Sequence, residues 1–212
     1  MKALFITCLA LINITVFAQL KIPKDYEELT ESPVNGKKMK TLAVNFDDDN
    51  ILDYPTIIGH KLEFANYKLL MFLSTTKKKQ LVKLLSLSDS EFNLYPKELK
   101  LNNNVLQFGY FLDGTSAFGR FIRLRYNKAI KKIQIIGYDS GYIASANGRI
   151  DKTFNLLTGK YIVNKAEFTI SDGDKEIVKQ FNCKDERFKN LYLENLAIKL
   201  LKSLDAVGNK FE

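Results

Sequence analysis

The chain has 212 residues, 46% hydrophobic and 26% charged, with 32 Lys and Arg against 24 Asp and Glu for a formal net charge of +8. That balance belongs to a globular chain with enough apolar material for a real core. With only 11 glycines and 2 cysteines it excludes a collagen-like polymer and a disulfide-stapled mini-protein, and its apolar content excludes wholesale disorder.

Residues 1–18 read as a signal peptide. Lys2 is the positive start, Ala3 to Phe17 is almost entirely apolar, and Val16-Phe17-Ala18 sets small residues at the cleavage frame before Gln19. The apolar run is too short for a transmembrane helix, and no other segment approaches spanning length. Cys8 precedes the end of the apolar run, whereas a lipid-anchored cysteine follows it. The expected destination is therefore the periplasm or the exterior. Cleavage near Ala18/Gln19 removes Cys8 and leaves Cys183 as the one thiol, so no intramolecular disulfide is expected.

The basic excess gathers at Lys37-Lys38-Met39-Lys40, Lys77-Lys78-Lys79, Arg120/Arg123/Arg125 and Lys128/Lys131/Lys132. It suits an anionic envelope surface or an acidic protein partner. Solvated turns and strand faces are the favoured account of such clusters. Nucleic acid is not expected, since the chain is read as exported and no aromatic stacking motif accompanies the lysines.

Residues 19–40 read as an extended entry into a short helix over Ile22–Leu29, starting near Pro23, then a polar linker from Ser32 to Lys40. Residues 41–184 read as a β domain. Thr41–Val44 and Tyr54–Ile58 flank an acidic loop. Tyr67–Ser74 is a strongly apolar run that Leu81–Leu85 pairs with as a hairpin. Val105–Leu112 and Phe118–Tyr126 form a second hairpin across Asp113–Ala117, with Ile122, Leu124 and Tyr126 alternating against Phe121, Arg123 and Arg125. Ile133–Tyr138 follows. Thr153–Leu157 and Lys160–Val163 flank Thr158-Gly159, and Phe168–Ser171 and Glu176–Phe181 flank Asp172-Gly173-Asp174.

The expected fold is mainly β, about ten antiparallel strands in a sandwich or propeller-fragment arrangement. Residues 185–207 read as an amphipathic helix packed on the sheet. Asp185 caps it, Leu193, Leu196, Ala197, Leu200, Leu201 and Leu204 form its apolar face, and Gly208 stops it. No repeat of 20–50 residues is visible.

One segment carries recognisable chemistry. Asn45-Phe46-Asp47-Asp48-Asp49-Asn50-Ile51-Leu52-Asp53 sets oxygen side chains at relative positions 1, 3, 5 and 9. A hard cation needs several oxygens on a tightly turned loop, so Asn45, Asp47, Asp49, the Ile51 carbonyl and Asp53 are candidate Ca²⁺ ligands. Position 6, where a left-handed residue is needed, is Asn50, the next most tolerant type after glycine. Thr56 stands where an EF-hand has its bidentate glutamate, so this is not an EF-hand. The alternative is an acidic turn in which Asp and Asn serve as turn formers.

This loop, with a strand pattern on either side, resembles the D-x-D/N-x-D-G-x-x-D loop of FG-GAP/VCBS-type, integrin-alpha-like repeats. The order of motifs over residues 20 to 165 also resembles a group of secreted proteins of Bacteroidetes-type bacteria. It runs from Ile22-Pro23-Lys24 through the acidic loop, the Gly114–Tyr126 hairpin and Ile136-Gly137-Tyr138-Asp139 to Asn155-Leu156-Leu157-Thr158-Gly159-Lys160. The resemblance implies a β-rich exported domain with an optional calcium loop, and no established activity. Asn45 and Asn50 depart from the family's loop.

Catalytic sets are sparse. His60 is the only histidine, which leaves no zinc pair. Ser116 lies outside any G-x-S-x-G elbow. Asp113, Asp139 and Asp151 are the carboxylates that a glycosidase-type acid pair would draw on, though no spacing selects them. Asp113–Ala117 and Ser140–Gly148 read as exposed binding loops, with Asp113, Thr115, Ser116, Tyr142 and Asn147 as candidate contacts. Three functions follow in order: a non-enzymatic exported module binding a protein or glycan, a periplasmic inhibitor or immunity-type protein, and a hydrolase with an unrecognised acid pair.

Overall fold

The computed structural model describes residues 22–39, 41–74, 81–86, 94, 96, 98–112, 118–145, 148–169 and 175–207. Met1–Gln19, Asp113–Ala117, Asn147, Asp172–Asp174, Lys77–Lys79 and Gly208 lie outside them.

The chain is mainly β, in two antiparallel sheets. The first has four strands in chain order: β1 (Tyr26–Glu28), β2 (Tyr54–His60), β3 (Tyr67–Leu73) and β4 (Leu81–Ser86). The second is a meander of seven: β5 (Glu98–Asn102), β6 (Val105–Leu112), β7 (Phe118–Asn127), β8 (Lys132–Ser145), β9 (Gly148–Asn155), β10 (Lys160–Thr169) and β11 (Lys175–Lys184). An eighth, β12 (Leu191–Tyr192), pairs with the first half of β8, at Ile135 and Gln134, while β9 pairs with the second half. One helix, α1 (Ile198–Ala206), closes the described chain. None of the described helices is long and apolar enough to cross a membrane.

The run at Tyr67–Leu73 lacks period-two alternation because both faces of β3 are covered. Tyr67, Leu69, Met71 and Leu73 join the main core. Leu70 and Phe72 join Ile58 in a second cluster with Ile22, Tyr26 and Tyr54. The main core is completed by the inner face of the large sheet, including Phe108, Ile122, Leu124, Tyr138, Ile150 and Phe154, and by Leu201 and Leu204 of α1.

Several boundaries differ from the sequence reading. The expected helix near Pro23 is a turn followed by β1. Tyr26 N donates to Pro23 O, and Tyr26–Glu28 then pairs with β2, a tertiary contact that overrides a one-turn helix. Thr41–Val44 is not a strand. It touches β2 through Leu42 N to Pro55 O and one bridge between Val44 and Asp53. Phe168 does not open a new strand, because the pairing of β10 with β11 runs unbroken from Lys160 to Thr169.

β8 also runs on through Ser145, so Ser140–Ser145 is strand and not loop. Gly137 and Gly141 lie within this strand and give space to neighbours: a Cβ at Gly137 would fall 2.4 Å from Arg123 Nε, and one at Gly141 2.5 Å from Asp151 Oδ1. β5 is an added strand, joined to β6 by Asn103 and Asn104, both left-handed as a type I′ turn demands.

The single helix expected over 185–207 is not formed, and only the end of that segment is α-helical. Asp185 caps only a 3₁₀ turn, accepting from Arg187 N at 3.0 Å. Left-handed Asn190 then interrupts the chain, β12 follows, Leu193–Asn195 forms a second 3₁₀ turn, and only Ile198–Ala206 is α-helical.

Candidate functional site

The acidic loop is built on its own hydrogen bonds. Asp53 is fully buried, and its carboxylate gathers three backbone amides: Phe46 (2.8 Å) and Asp47 (3.2 Å) on Oδ2, and Ser74 (2.8 Å) on Oδ1. It therefore ties the loop to the end of β3. Asn45 Oδ1 and Asp47 Oδ1 both accept from Asp49 N, and Asp49 Oδ1 accepts from Ile51 N. Asn50 is left-handed, as the loop reading expects of position 6, and so is Asp48 at position 4, where the loop reading expects none.

Burial, followed by the charges of Asp53 and Asp49, pushes the Asp47 carboxyl up to about 6. Asp53 is also raised, because burial outweighs the amides that stabilise its anion. Burial and the same three carboxylates raise the Tyr126 phenol, and Lys128 pairs with Asp48. Among the described residues, no three His, Cys, Asp or Glu side chains are gathered closely enough to hold a metal ion.

A second feature, not anticipated from the sequence, is an open cleft of about 820 Å³ where β9, β10 and β11 run toward the Thr158-Gly159 turn. Its charged lining is Arg123, Lys160 and Lys184, its neutral polar lining Thr153, Asn155 and Asn182. Ile136, Leu157 and Ile162 supply apolar surface. Arg123 grips Asp139 at 2.8 and 3.0 Å, and Lys184 pairs with Glu186. Tyr161 stacks on Phe154 with centroids 5.0 Å apart. Burial and a hydrogen bond with Cys183 push its phenol up to about 12.

A third cluster joins α1 to the large sheet. Asp205 receives Arg120 Nε at 2.6 Å on Oδ2 and Tyr138 OH at 2.5 Å on Oδ1, while Lys152 Nζ donates to its carbonyl at 2.6 Å. Lys152 is only 1% exposed, and burial lowers its proton affinity against the pull of Asp205. Burial also opposes the Arg120 charge, but Asp205, Tyr138 and Tyr110 together outweigh it and raise the guanidinium. The sequence carries a signal for Lys152, which occupies an inward position between Ile150 and Phe154 in the alternation of β9.

The candidate binding residues separate. Tyr142 lies within β8, half-buried, with Lys152 Nζ 5.4 Å from its ring centroid. Asp113, Thr115, Ser116 and Asn147 fall outside the described residues. Of the three carboxylates considered for hydrolysis, Asp139 is held by Arg123 and Thr153 and still raised by burial, and Asp151 accepts from Arg149 at 2.8 Å. His60 is a turn former: its Nδ1 accepts from Leu62 N (3.2 Å) and Glu63 N (3.0 Å). No family model matches the chain, and neither does any curated protein or solved structure.

Proposed function

We propose that the chain is an exported, non-enzymatic binding module that holds an anionic ligand, an acidic glycan in preference to an acidic protein segment, in the cleft of β9–β11. The observation that carries this reading is the lining. Every charged side chain in it is a cation, two amides and a hydroxyl lie between them, and three aliphatic side chains offer a surface for the apolar face of a sugar ring. Asp139 and Asp151 each have an arginine partner, which suits carboxylates that organise a surface better than a free acid and base.

Titration calorimetry with an oligogalacturonate, a poly-glutamate peptide and a neutral malto-oligosaccharide tests it. Oligogalacturonate is expected to bind, salt is expected to weaken it, and Lys160→Glu with Lys184→Glu is expected to raise Kd by about tenfold or more. Equal binding of the neutral sugar, or indifference to the charge reversal, removes the reading. Preference for poly-glutamate moves it to a protein ligand.

The inhibitor reading has one observation in its favour. Leu62 and Phe64 are each 92% exposed on the β2–β3 turn. That turn is locked by His60, by Lys61 N to Asp25 O and by Asn66 Nδ2 to Glu63 Oε2 at 2.6 Å. A rigid turn presenting two apolar side chains suits insertion into a pocket of another protein.

Calcium is the optional part of the proposal. Asn45, Asp47, Asp49 and the Ile51 carbonyl supply the hard oxygens, with Asp53 retained as the loop's anchor. Thermal unfolding in calcium and in chelator reads this out. A site held at 100 times its Kd adds about 2.7 kcal/mol, which Asp47→Ala with Asp49→Ala is expected to abolish. Identical melting in both buffers leaves the loop as a hydrogen-bonded turn.

A further inference from the structure

We propose that β11 pairs with β11 of a second copy of this chain, antiparallel about a twofold axis at Gln180, joining two large sheets into one continuous sheet. Four strands end the two sheets: β1 with three residues, β5 with five, β4 with six and β11 with ten. Natural edges are blunted by shortness, proline, bulges, charged side chains or a covering segment, and of these β11 carries charge, at Lys175, Lys179 and Lys184. β11 has no proline, and its pairing with β10 runs over ten residues without a register shift. Among the described residues no strand pairs along its outer side. Ile177 and Val178, which point to opposite faces, are 50% and 54% exposed.

The edge is self-complementary in one register. Residues directly opposite each other in an antiparallel pair point to the same face. A twofold pairing of identical strands must therefore place one residue opposite itself. With Lys179 on the axis, two ammonium groups meet. With Phe181 on the axis, Lys184 falls opposite Val178 and Lys179 opposite Cys183, so no opposite charges meet within β11. With Gln180 on the axis, Glu176 falls opposite Lys184 within β11, a pair formed twice by symmetry. The same register sets Val178 opposite Asn182 and Ile177 opposite Cys183, so the two exposed aliphatic residues gain neighbours. Gln180 meets its own copy, and an amide both donates and accepts. Asn182, Cys183 and Lys184 also line the cleft, so the second copy would border each cleft along its β11 side.

Light scattering during gel filtration measures the mass, and a cysteine pair fixes the register. Twice the chain mass is expected at tens of micromolar. Gln180→Lys, which puts like charges on the axis, is expected to give monomers with an unchanged melting curve at low concentration. Lys184→Glu is expected to weaken the dimer by about tenfold or more, and adding Glu176→Lys is expected to restore it. Gln180→Cys is expected to form a covalent dimer on mild oxidation, because opposed Cα atoms lie within disulfide reach, whereas Lys179→Cys and the natural thiol at Cys183 are not. A monomer at these concentrations, a dimer indifferent to Gln180→Lys, or equal cross-linking through positions 179 and 180 overturns the proposal.

Discussion

Gly109→Ala is expected to prevent stable folding, or to cost more than about 4 kcal/mol where a folded fraction survives. Gly109 has φ +143, a conformation that side-chain-bearing residues rarely adopt. A Cβ there would lie 2.0 Å from Arg120 O and 2.8 Å from Phe121 Cα. These are backbone atoms of the next strand, so no rotamer change relieves the clash. Relief requires β6 to move off β7, against an eight-pair register from Val105 to Leu112. Phe108 and Tyr110, on either side of Gly109, are core residues and would be displaced together. Urea unfolding measures the effect. A loss under about 1 kcal/mol would mean that the β6–β7 pairing adjusts far more readily than its geometry implies.

Asp205→Ala is expected to destabilise the protein by about 3 kcal/mol, by removing one carboxylate that serves two donors from the sheet. Arg120 would lose its ion pair and Tyr138 its acceptor, both close to the core, and α1 would lose its side-chain attachment to the sheet while keeping Leu201 and Leu204. For a chain of this size the melting temperature should fall by roughly 6–12 °C. Asp205→Asn, which keeps an acceptor for Tyr138 but not the charge for Arg120, should lie between. The Lys152 bond to the Asp205 carbonyl survives either change, so near-ultraviolet circular dichroism should report a loosened helix end and not a lost sheet. A change within about 0.5 kcal/mol would mean that apolar contact alone holds α1.

The hairpins were legible because alternation and Asx or glycine turns are local signals. Ile122 and Leu124 are buried and Arg125 is exposed, as the period-two reading of β7 requires. The C-terminal leucines were legible as one apolar face but not as one helix. Leu193, Leu201 and Leu204 are all buried, yet only the last two are α-helical. A 3₁₀ turn also brings residues three apart to one side, so spacing alone does not separate the two forms. Left-handed Asn190, which makes the break, is an ordinary asparagine in the sequence.

The acidic loop was legible as a loop, but the buried role of Asp53 was not. That role depends on the Ser74 amide, brought close by the β2–β3 pairing. The cleft could not be read from sequence, since its lining joins Arg123 and Ile136 to residues of β9, β10 and β11. Asp205 was invisible for the same reason, as its donors Arg120 and Tyr138 lie 85 and 67 residues away.

The order of the large sheet has a consequence for how the chain reaches its final state. From β5 to β11 each strand's neighbour in space is the next strand in sequence. Short loop closures carry little entropic cost, so this region can zip together hairpin by hairpin, with low contact order for a β protein. β12 and α1 do not share that economy, because they return to β8, Arg120, Tyr138 and Lys152 across 53 to 85 residues. They are also made after the meander. The meander therefore forms before Asp205 can reach Tyr138, and a chain that stalls ahead of β12 and α1 leaves their part of the core open to chaperones or to other copies of itself.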